Sequence, residues 1–440
     1  MKRYAVVFAL FLVATLLLPA CSMLTVDEMY CIPKRSEDYN NLQSAIDQAM
    51  SGMSYCAPLT GEHQQPVQMA DLDGDGEEEY LLFAKTGESR PLRILVFKNQ
   101  GGSYVHSDTV ECSGSAFDIV EYIQMDGRPG LEMVVGCLVS DQVVRSMTMY
   151  SMYGQELTQL VTENYTKFLP VDLDGNGVSE VLVIHPGDTD TDNGNVALYA
   201  ISKDGLTRSN EVDMSRPADK LKRIITGKLQ DGSSAVYLAS TVDDSALITD
   251  VVTVRENMLA NVSISSELGT SVQTMRNYYV YADDIDKDGI VELPALMTMK
   301  PQGIVASGDK YHLIRWYAMS PDGTCVDKMY TFHNFLGGWY VQLDSKLAPR
   351  LTVSVNGSQY DFYLWDAEYK ATQKLISIYA FSAQNKEEQA TADGRFVLYR
   401  TETTVYAAEL DPAAAEYGFT QDSITSSFRI IRQDWKTGET

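Results

Sequence analysis

The stretch Asp71-Leu72-Asp73-Gly74-Asp75-Gly76-Glu77-Glu78-Glu79 decides how the rest of this 440-residue chain is interpreted. Its aspartates occupy alternate positions, a glycine allows a sharp turn, and an acidic residue follows three positions later. Oxygen ligands at this spacing are typical of a loop wrapped around a hard cation, most plainly Ca²⁺. An EF-hand would place its bidentate acid at the twelfth position, which is Leu82 here, so the sequence excludes an EF-hand.

The loop recurs at a regular interval. Aligned copies begin at Asp71, Gln124, Asp172, Lys228 and Asp284. The intervals are 53, 48, 56 and 56 residues, and each copy combines an apolar lead-in, the loop and further strand-like runs. Four short strands in about fifty residues is the size of a propeller blade. The sequence therefore predicts a mainly β fold, a β-propeller with repeats of about 53 residues over residues 66–334.

The repeated motif Asp-x-Asp-Gly-Asp-Gly-x-x-Glu, followed by a strand, resembles the FG-GAP or VCBS-type repeat. That repeat is known from integrin alpha-chain propellers and from many exported bacterial proteins. In that family the loop lies inside a β-hairpin of a blade and binds Ca²⁺, so the resemblance implies Ca²⁺ as the bound ion here. The motif is specific because it is repeated; a single copy would be weak.

Three copies keep the acidic positions. The expected Ca²⁺ ligands are Asp71, Asp73, Asp75, Glu79, Asp172, Asp174, Asn176, Glu180, Asp284, Asp286, Asp288 and Glu292. The copy at Gln124 has Arg128 in a ligand position, where a guanidinium replaces the charge of the metal. The copy at Lys228 has lost nearly all its acids and is expected to be a plain turn. We expect the three sites to stabilise the repeats; the alternative is an Asp/Gly-rich turn without metal.

The N-terminus has the pattern of an export signal. Basic residues in positions 2–3 precede an apolar run from Tyr4 to Leu18, which ends in Leu-Pro-Ala-Cys21. This ending resembles the lipobox of bacterial lipoproteins. The resemblance implies removal of residues 1–20, lipid on Cys21 and anchorage to the bacterial cell membrane, facing outside the cytoplasm. An ordinary signal peptide without lipid is the alternative.

Charge and cysteine content narrow the classes of partner. Sixty acidic and thirty-five basic residues give a net charge of -25, which argues against binding to nucleic acid. Outside the cytosol, Cys31 with Cys56 and Cys112 with Cys137 are candidate disulfides, although spacing does not fix connectivity. No Cys-x-x-Cys motif occurs, so zinc and thiol redox chemistry gain no support.

The segments on either side of the repeats have patterns of their own. In the leader at residues 21–65, apolar residues spaced at i, i+4 and i+7 predict a helix from about Asp38 to Met50 that packs on the first repeat. In residues 335–440, strand-like runs are followed by a helix start at Asp411 and an apolar stripe at Ile424, Phe428 and Ile431. This pattern predicts a small α+β domain. The alternative is that the repeats continue to about seven blades.

No motif identifies a catalytic site. The five histidines are scattered, and the motifs Gly-x-Ser-x-Gly and His-Glu-x-x-His are absent. The acidic run Asp188–Asp192 is either another cation loop or a solvated hairpin tip. Six aromatic residues suit either core packing or contacts with carbohydrate or peptide. They are Trp339, Tyr340, Tyr360, Tyr363, Trp365 and Tyr369.

These patterns lead to three hypotheses of function. The leading one is a lipid-anchored, calcium-stabilised exported protein that acts as a surface binding or adhesion module for an unknown protein or carbohydrate. The second is an extracellular polysaccharide or peptide hydrolase with its site on the propeller face. The third is a structural envelope protein.

Overall fold

The computed structural model describes residues 37–139, 144–153, 156–189, 191–243, 246–300 and 311–432. The expected signal peptide, Cys21 and Cys31 lie outside the described residues. Within them, the chain is mainly β, with three α-helices: α1 (Glu37–Ala49), α2 (Lys386–Thr391) and α3 (Gln421–Ser427). None of these helices is long and apolar enough to cross a membrane.

The strands form six antiparallel sheets, named A to F. Sheet A contains β1 (Ser54–Tyr55), β2 (Val67–Ala70), β3 (Glu79–Lys85), β4 (Leu92–Gln100) and β5 (Ser103–Cys112). Sheet B contains β6 (Ala116–Ile123), β7 (Glu132–Leu138), β8 (Arg145–Tyr153) and β9 (Glu156–Tyr165). Sheet C contains β10 (Lys167–Val171), β11 (Glu180–His185), β12 (Asn195–Ser202), β13 (Gly205–Arg208) and β14 (Val212–Asp213).

The remaining strands form the last three sheets. Sheet D contains β15 (Leu221–Lys228), β16 (Ser234–Thr241), β17 (Leu247–Arg255) and β18 (Met258–Asn261). Sheet E contains β19 (Glu292–Met297), β20 (Tyr311–Met319), β21 (Cys325–Asn334), β22 (Trp339–Leu343) and β28 (Phe428–Ile430). Sheet F contains β23 (Leu351–Asn356), β24 (Gln359–Trp365), β25 (Thr372–Phe381), β26 (Phe396–Arg400) and β27 (Val405–Leu410).

Each of sheets A to D contains four strands that follow one another along the chain and pair in that order, and sheets A and C each add one short strand, β1 or β14. The predicted mainly β fold is confirmed, and the propeller stays a prediction. The two central strands of sheet A are apolar and almost wholly buried, as expected for strands covered on both faces. The outer strand β5 instead alternates between exposed and partly buried residues, because one of its faces meets water. Strand β9, the outer strand of sheet B, has the same pattern of exposure.

Successive sheets pack face to face and share apolar cores. Phe83 of sheet A meets Phe117 of sheet B with ring centroids 5.1 Å apart. Phe332 of sheet E meets Phe362 of sheet F in the same edge-on way, at 5.0 Å. Further shared cores join B to C, C to D and D to E. Because alternate side chains of each strand point to opposite faces, each inner sheet contributes to the core on either side of it.

The two outermost faces of this series are each covered by a helix. Helix α1 places Leu42 and Ile46 on Leu82 and Phe97, on the face of sheet A that points away from sheet B. The leader helix and its packing on the first repeat are therefore as the sequence predicted. At the other end, Ala390 of α2 packs on the outer face of sheet F. Among the described residues, no apolar cluster joins sheet A to sheet F.

The expected division at residue 335 remains a prediction, and the local structure around it is continuous. The turn at 335–338 links β21 to β22, which pair with each other in sheet E. One apolar core then contains residues of both sheet E and sheet F. All five strand-like runs predicted for residues 351–408 are present as the strands of sheet F.

The last helix is shorter than the apolar stripe suggested. It is capped by Thr420, whose hydroxyl accepts a hydrogen bond from the Ser423 amide, and it ends at Ser427. Phe428 then enters β28 and pairs with β22. Ile424, Phe428 and Ile431 are all buried, so the spacing identified core positions correctly but not the backbone conformation that presents them.

Candidate metal-binding loops

Each of the three acidic loops leads directly into a strand. We call them loop A (residues 71–79), loop C (172–180) and loop E (284–292), after the sheets that contain them. Loop A joins β2 to β3, loop C joins β10 to β11, and loop E leads into β19. In each loop the first two acids and the closing glutamate offer oxygens that lie within 4.8 Å of one another. These groups are Asp71, Asp73, Glu79; Asp172, Asp174, Glu180; and Asp284, Asp286, Glu292.

The first aspartate holds the turn together in every loop. In loop A the carboxylate of Asp71 accepts hydrogen bonds from the amides of Gly74 and Gly76, at 2.7 and 3.0 Å. Gly74 has φ of 76°, and a Cβ atom on it would lie 2.2 Å from the carbonyl oxygen of Pro129 in sheet B. Only glycine fits both the backbone conformation and the close approach.

The third acidic or amide position is hydrogen-bonded to the backbone of its own loop. Asp75, Asn176 and Asp288 each accept a hydrogen bond from the amide two residues further on, at 2.8, 2.7 and 2.9 Å. Asp75 and Asp288 do not belong to the close carboxylate groups. Their side chains therefore support the turn, and the predicted ligand role of these three residues stays a prediction.

The closing glutamate is buried in all three loops. Glu79 and Glu180 are 3% exposed and Glu292 is 0% exposed. One carboxylate oxygen of each accepts a hydrogen bond from the amide of the second loop residue, at 2.8 to 3.1 Å. The other oxygen of Glu292 is buried and has no hydrogen-bond partner among the described residues. A buried oxygen of this kind needs a proton or a cation.

Burial also changes the acidity of these glutamates. Burial, together with the neighbouring aspartates, raises the pKa of Glu180 to about 7 and that of Glu292 to about 8. The pKa of Glu79 is raised for the same reason, against the opposing effect of the Leu72 amide. A bound cation would favour the charged carboxylates.

Loop B (residues 124–132) is the counterpart in which Arg128 stands at a ligand position. The guanidinium of Arg128 lies 2.7 Å from the carboxylate of Asp126. Glu132 keeps the position of the closing glutamate, but its oxygens accept from the Met125 amide and the Ser151 hydroxyl, both at 2.9 Å. Its carboxylate is therefore satisfied by protein groups. The copy at Lys228 is a short turn closed by a hydrogen bond from the Leu229 amide to the Ser233 carbonyl.

Two lysines that the sequence did not single out contact the loops. Lys98 on β4 places its ammonium 2.7 Å from Asp73 in loop A, and only 7% and 13% of the two side chains are exposed. Lys328 on β21 lies 2.9 Å from Asp288 in loop E, in a more exposed pair. Within the described parts of the chain, no ion pair involves the acids of loop C. The three loops therefore differ in electrostatic surroundings.

The aromatic candidates separate into two groups. Trp339, Tyr340 and Tyr360 are buried in the cores of sheets E and F, so they pack the interior. Tyr363 is half-buried on the same sheet. Trp365 and Tyr369 lie nearer the surface, with the ammonium of Lys300 4.5 and 5.2 Å from their ring centroids.

The acidic run at 188–192 forms a turn. The amide of Thr189 donates to the carboxylate of Asp192 at 3.0 Å, and the amide of Asp192 donates back to the Thr189 carbonyl at 3.1 Å. Asp190 lies outside the described residues. Among those described, the run contributes to no close group of metal-binding oxygens.

Comparisons with known proteins give little further information. No protein-family model and no curated protein matches the chain. Similar solved structures include rhamnogalacturonan lyase YesW, at 11% identity and a TM-score of 0.30, covering 80% of this chain and 74% of that one. A Bacillus licheniformis rhamnogalacturonan lyase has 12% identity and a TM-score of 0.28, with 73% and 72% covered. A Lactobacillus plantarum protein has 12% identity and a TM-score of 0.26, with 72% and 86% covered. Similarity at this level assigns neither family nor activity.

Proposed function

We propose that this protein is a Ca²⁺-stabilised, exported and lipid-anchored binding module. Its six sheets would be consecutive propeller-type blades, with α1 and α2 covering the two ends of the series. The observation that carries the proposal is the threefold recurrence of a buried glutamate and two aspartates with oxygens within 4.8 Å. In loop B, the guanidinium of Arg128 pairs with Asp126 and would take the place of the positive charge of the metal, which supports the proposal.

The donor set favours Ca²⁺ over other cations. All the close donors are carboxylate oxygens, which suit hard cations and not the thiolate- and imidazole-binding metals. Several residues of each loop are exposed to solvent, so water could complete a large, flexible coordination shell. In each loop Ca²⁺ would be held by the three clustered acids and would neutralise their mutual repulsion. The ion would thereby stabilise the turn that holds it.

The expected stabilisation is moderate for each loop and large in total. Extracellular sites of this kind bind Ca²⁺ with dissociation constants of roughly 0.1 to 1 mM. At ten times that constant one site adds about 1.4 kcal/mol, and three sites add about 4 kcal/mol. This is a substantial share of the stability of a typical domain.

Calorimetric titration of the purified protein with Ca²⁺ tests the metal sites. We expect three equivalents of bound Ca²⁺, two after Glu180→Gln, and three after the matched loop B substitution Glu132→Gln. Absence of Ca²⁺ uptake at several millimolar would overturn the proposal. Loss of one equivalent of Ca²⁺ in both variants would show that the closing glutamate supports the loop backbone and does not bind the ion.

The remaining parts of the proposal need separate tests. The Ca²⁺-loaded protein should retain a distinct set of ligands on glycan and peptide arrays, and an empty array would favour a structural envelope role. Cys21→Ser should move the protein from the membrane fraction to the soluble fraction. Unchanged fractionation would contradict lipid anchorage.

A further inference from the structure

Three cysteines meet at the junction between sheets A and B. Cys112 ends β5, Cys137 lies on β7, and Cys56 follows β1. Cys112 and Cys137 are each 4% exposed, and Cys56 is partly buried. All three contribute to the apolar core that the two sheets share. The cluster therefore lies where one sheet is attached to the next.

Cys112 and Cys137 are buried in the same part of this core, and the sulfur of Cys112 lies 3.8 Å from the hydroxyl of Tyr150. The connection from β5 to β6 passes directly against Cys137, because a Cβ atom on Gly114 would lie 2.9 Å from the Cys137 Cβ. The packing of sheet A on sheet B thus places a residue two positions after Cys112 against Cys137, so the two thiols lie in one region of the shared core.

We propose that Cys112 and Cys137 form a disulfide that joins sheet A to sheet B. Both thiols lose their protons and together give up two electrons, one S–S bond forms, and a disulfide-bearing oxidant is reduced to its two thiols. Such oxidants act in the compartments that exported proteins enter. In the cell the bond therefore rests on the export that is part of the proposed function.

Disulfide exchange requires a thiolate to reach the disulfide of the oxidant. Because both sulfurs are almost completely buried in the folded protein, the oxidant must reach them before the two sheets have closed on each other.

Cys56 is the competing partner in this cluster. It packs against the same apolar core but is less buried than Cys112 and Cys137. Its backbone amide is also fixed by a hydrogen bond to the Phe83 carbonyl at 2.9 Å. Cys325 is exposed on β21 and its sulfur lies 3.7 Å from the Gly323 carbonyl, so it belongs to a different part of the protein.

Peptide mapping of the full chain tests the pairing. The protein is refolded in a glutathione redox buffer, its free thiols are alkylated, and it is digested without reduction. We expect a linked peptide pair containing Cys112 and Cys137, and alkylated Cys325. Cys112→Ser and Cys137→Ser should each abolish that pair and release one additional thiol, whereas Cys325→Ser should leave it intact.

Two results would overturn the disulfide. One is complete alkylation of Cys112 and Cys137 after oxidative refolding; the other is a link from Cys56 to either of them. The same mapping on protein isolated from its producing cells separates the disulfide from export. A pair that forms in the redox buffer and is absent in protein from the cells would support the disulfide and contradict export.

Discussion

Lys98→Met is the most informative perturbation of the candidate metal loops. Lys98 forms an ion pair with Asp73 in which both side chains are largely shielded from water. Without a metal, the ammonium is the cation that compensates the three acids of loop A. With Ca²⁺ bound, the same ammonium would be a second positive charge beside the ion. Methionine keeps most of the length of the apolar stem and removes the ammonium group.

The structure sets the expected magnitude. Removing one partner of a buried ion pair costs about 3–5 kcal/mol, because the other charge is left uncompensated. Asp73 retains some exposure, so we expect the free energy of unfolding in EDTA to fall by about 2–3 kcal/mol. In saturating Ca²⁺ the metal supplies the missing charge, and the loss should shrink to less than about 1 kcal/mol. The affinity of loop A for Ca²⁺ should rise in the same variant.

Urea denaturation in EDTA and in Ca²⁺, compared between variant and parent, measures this difference. Lys328→Met is the matched control, since its pair with Asp288 is more exposed and should be worth only about 0.2–1 kcal/mol. An equal loss of stability in EDTA and in Ca²⁺ would refute the assignment of Lys98 as a substitute for the metal. A loss in EDTA no larger than that of Lys328→Met would refute the importance of its burial.

Three further outcomes can be checked. In EDTA, stability should fall as pH rises from about 5 to about 8, by about 1.4 kcal/mol per pH unit for each retained proton. Stability falls with pH because the raised pKa values of Glu180 and Glu292 mean that the folded protein holds these protons more tightly than the unfolded chain does. In urea denaturation, Ca²⁺ or Glu292→Gln should reduce this dependence on pH, whereas Glu78→Gln, at an exposed position, should not. Stability that rises with pH in EDTA would contradict the prediction. Gly136→Ala should lower the free energy of unfolding by about 1–3 kcal/mol in the same assay, because the added Cβ would lie 2.2 Å from the Tyr165 hydroxyl. Adding Tyr165→Phe should recover part of this loss, and an unchanged free energy of unfolding in Gly136→Ala would contradict the close contact. Reduction of the Cys112–Cys137 disulfide should lower stability by about 3 kcal/mol through the chain-entropy effect, seen as a lower urea midpoint in dithiothreitol that is absent in Cys112→Ser.

The sequence predicted the parts of this fold that depend on local patterns. Strands such as β3 and β11 follow from apolar runs beside a turn, and helix α1 follows from the spacing of Leu42 and Ile46. The loop motif placed Asp71, Asp73 and Glu79 together because the turn itself, closed by short-range hydrogen bonds, brings them within reach. These features need only a few neighbouring residues.

Features that depend on distant pairing could not be predicted in this way. Lys98 contacts loop A because β4 pairs with β3, a register that no single motif encodes. Phe428 leaves the helical path because β22 offers an open edge with which it can pair. The apolar spacing of Ile424, Phe428 and Ile431 is compatible with both conformations, and tertiary hydrogen bonding decided between them.

Helices α1 and α2 have a consequence for how this architecture can vary. In a closed ring the number of blades is fixed, because each added blade changes the angle through which every neighbour must turn. Here the faces that a ring would join are each covered by a helix. Such a series can gain or lose an inner sheet while its two end sheets keep their covers. The number of repeats can then differ between related chains, because deletion or duplication of an inner sheet leaves both end sheets covered.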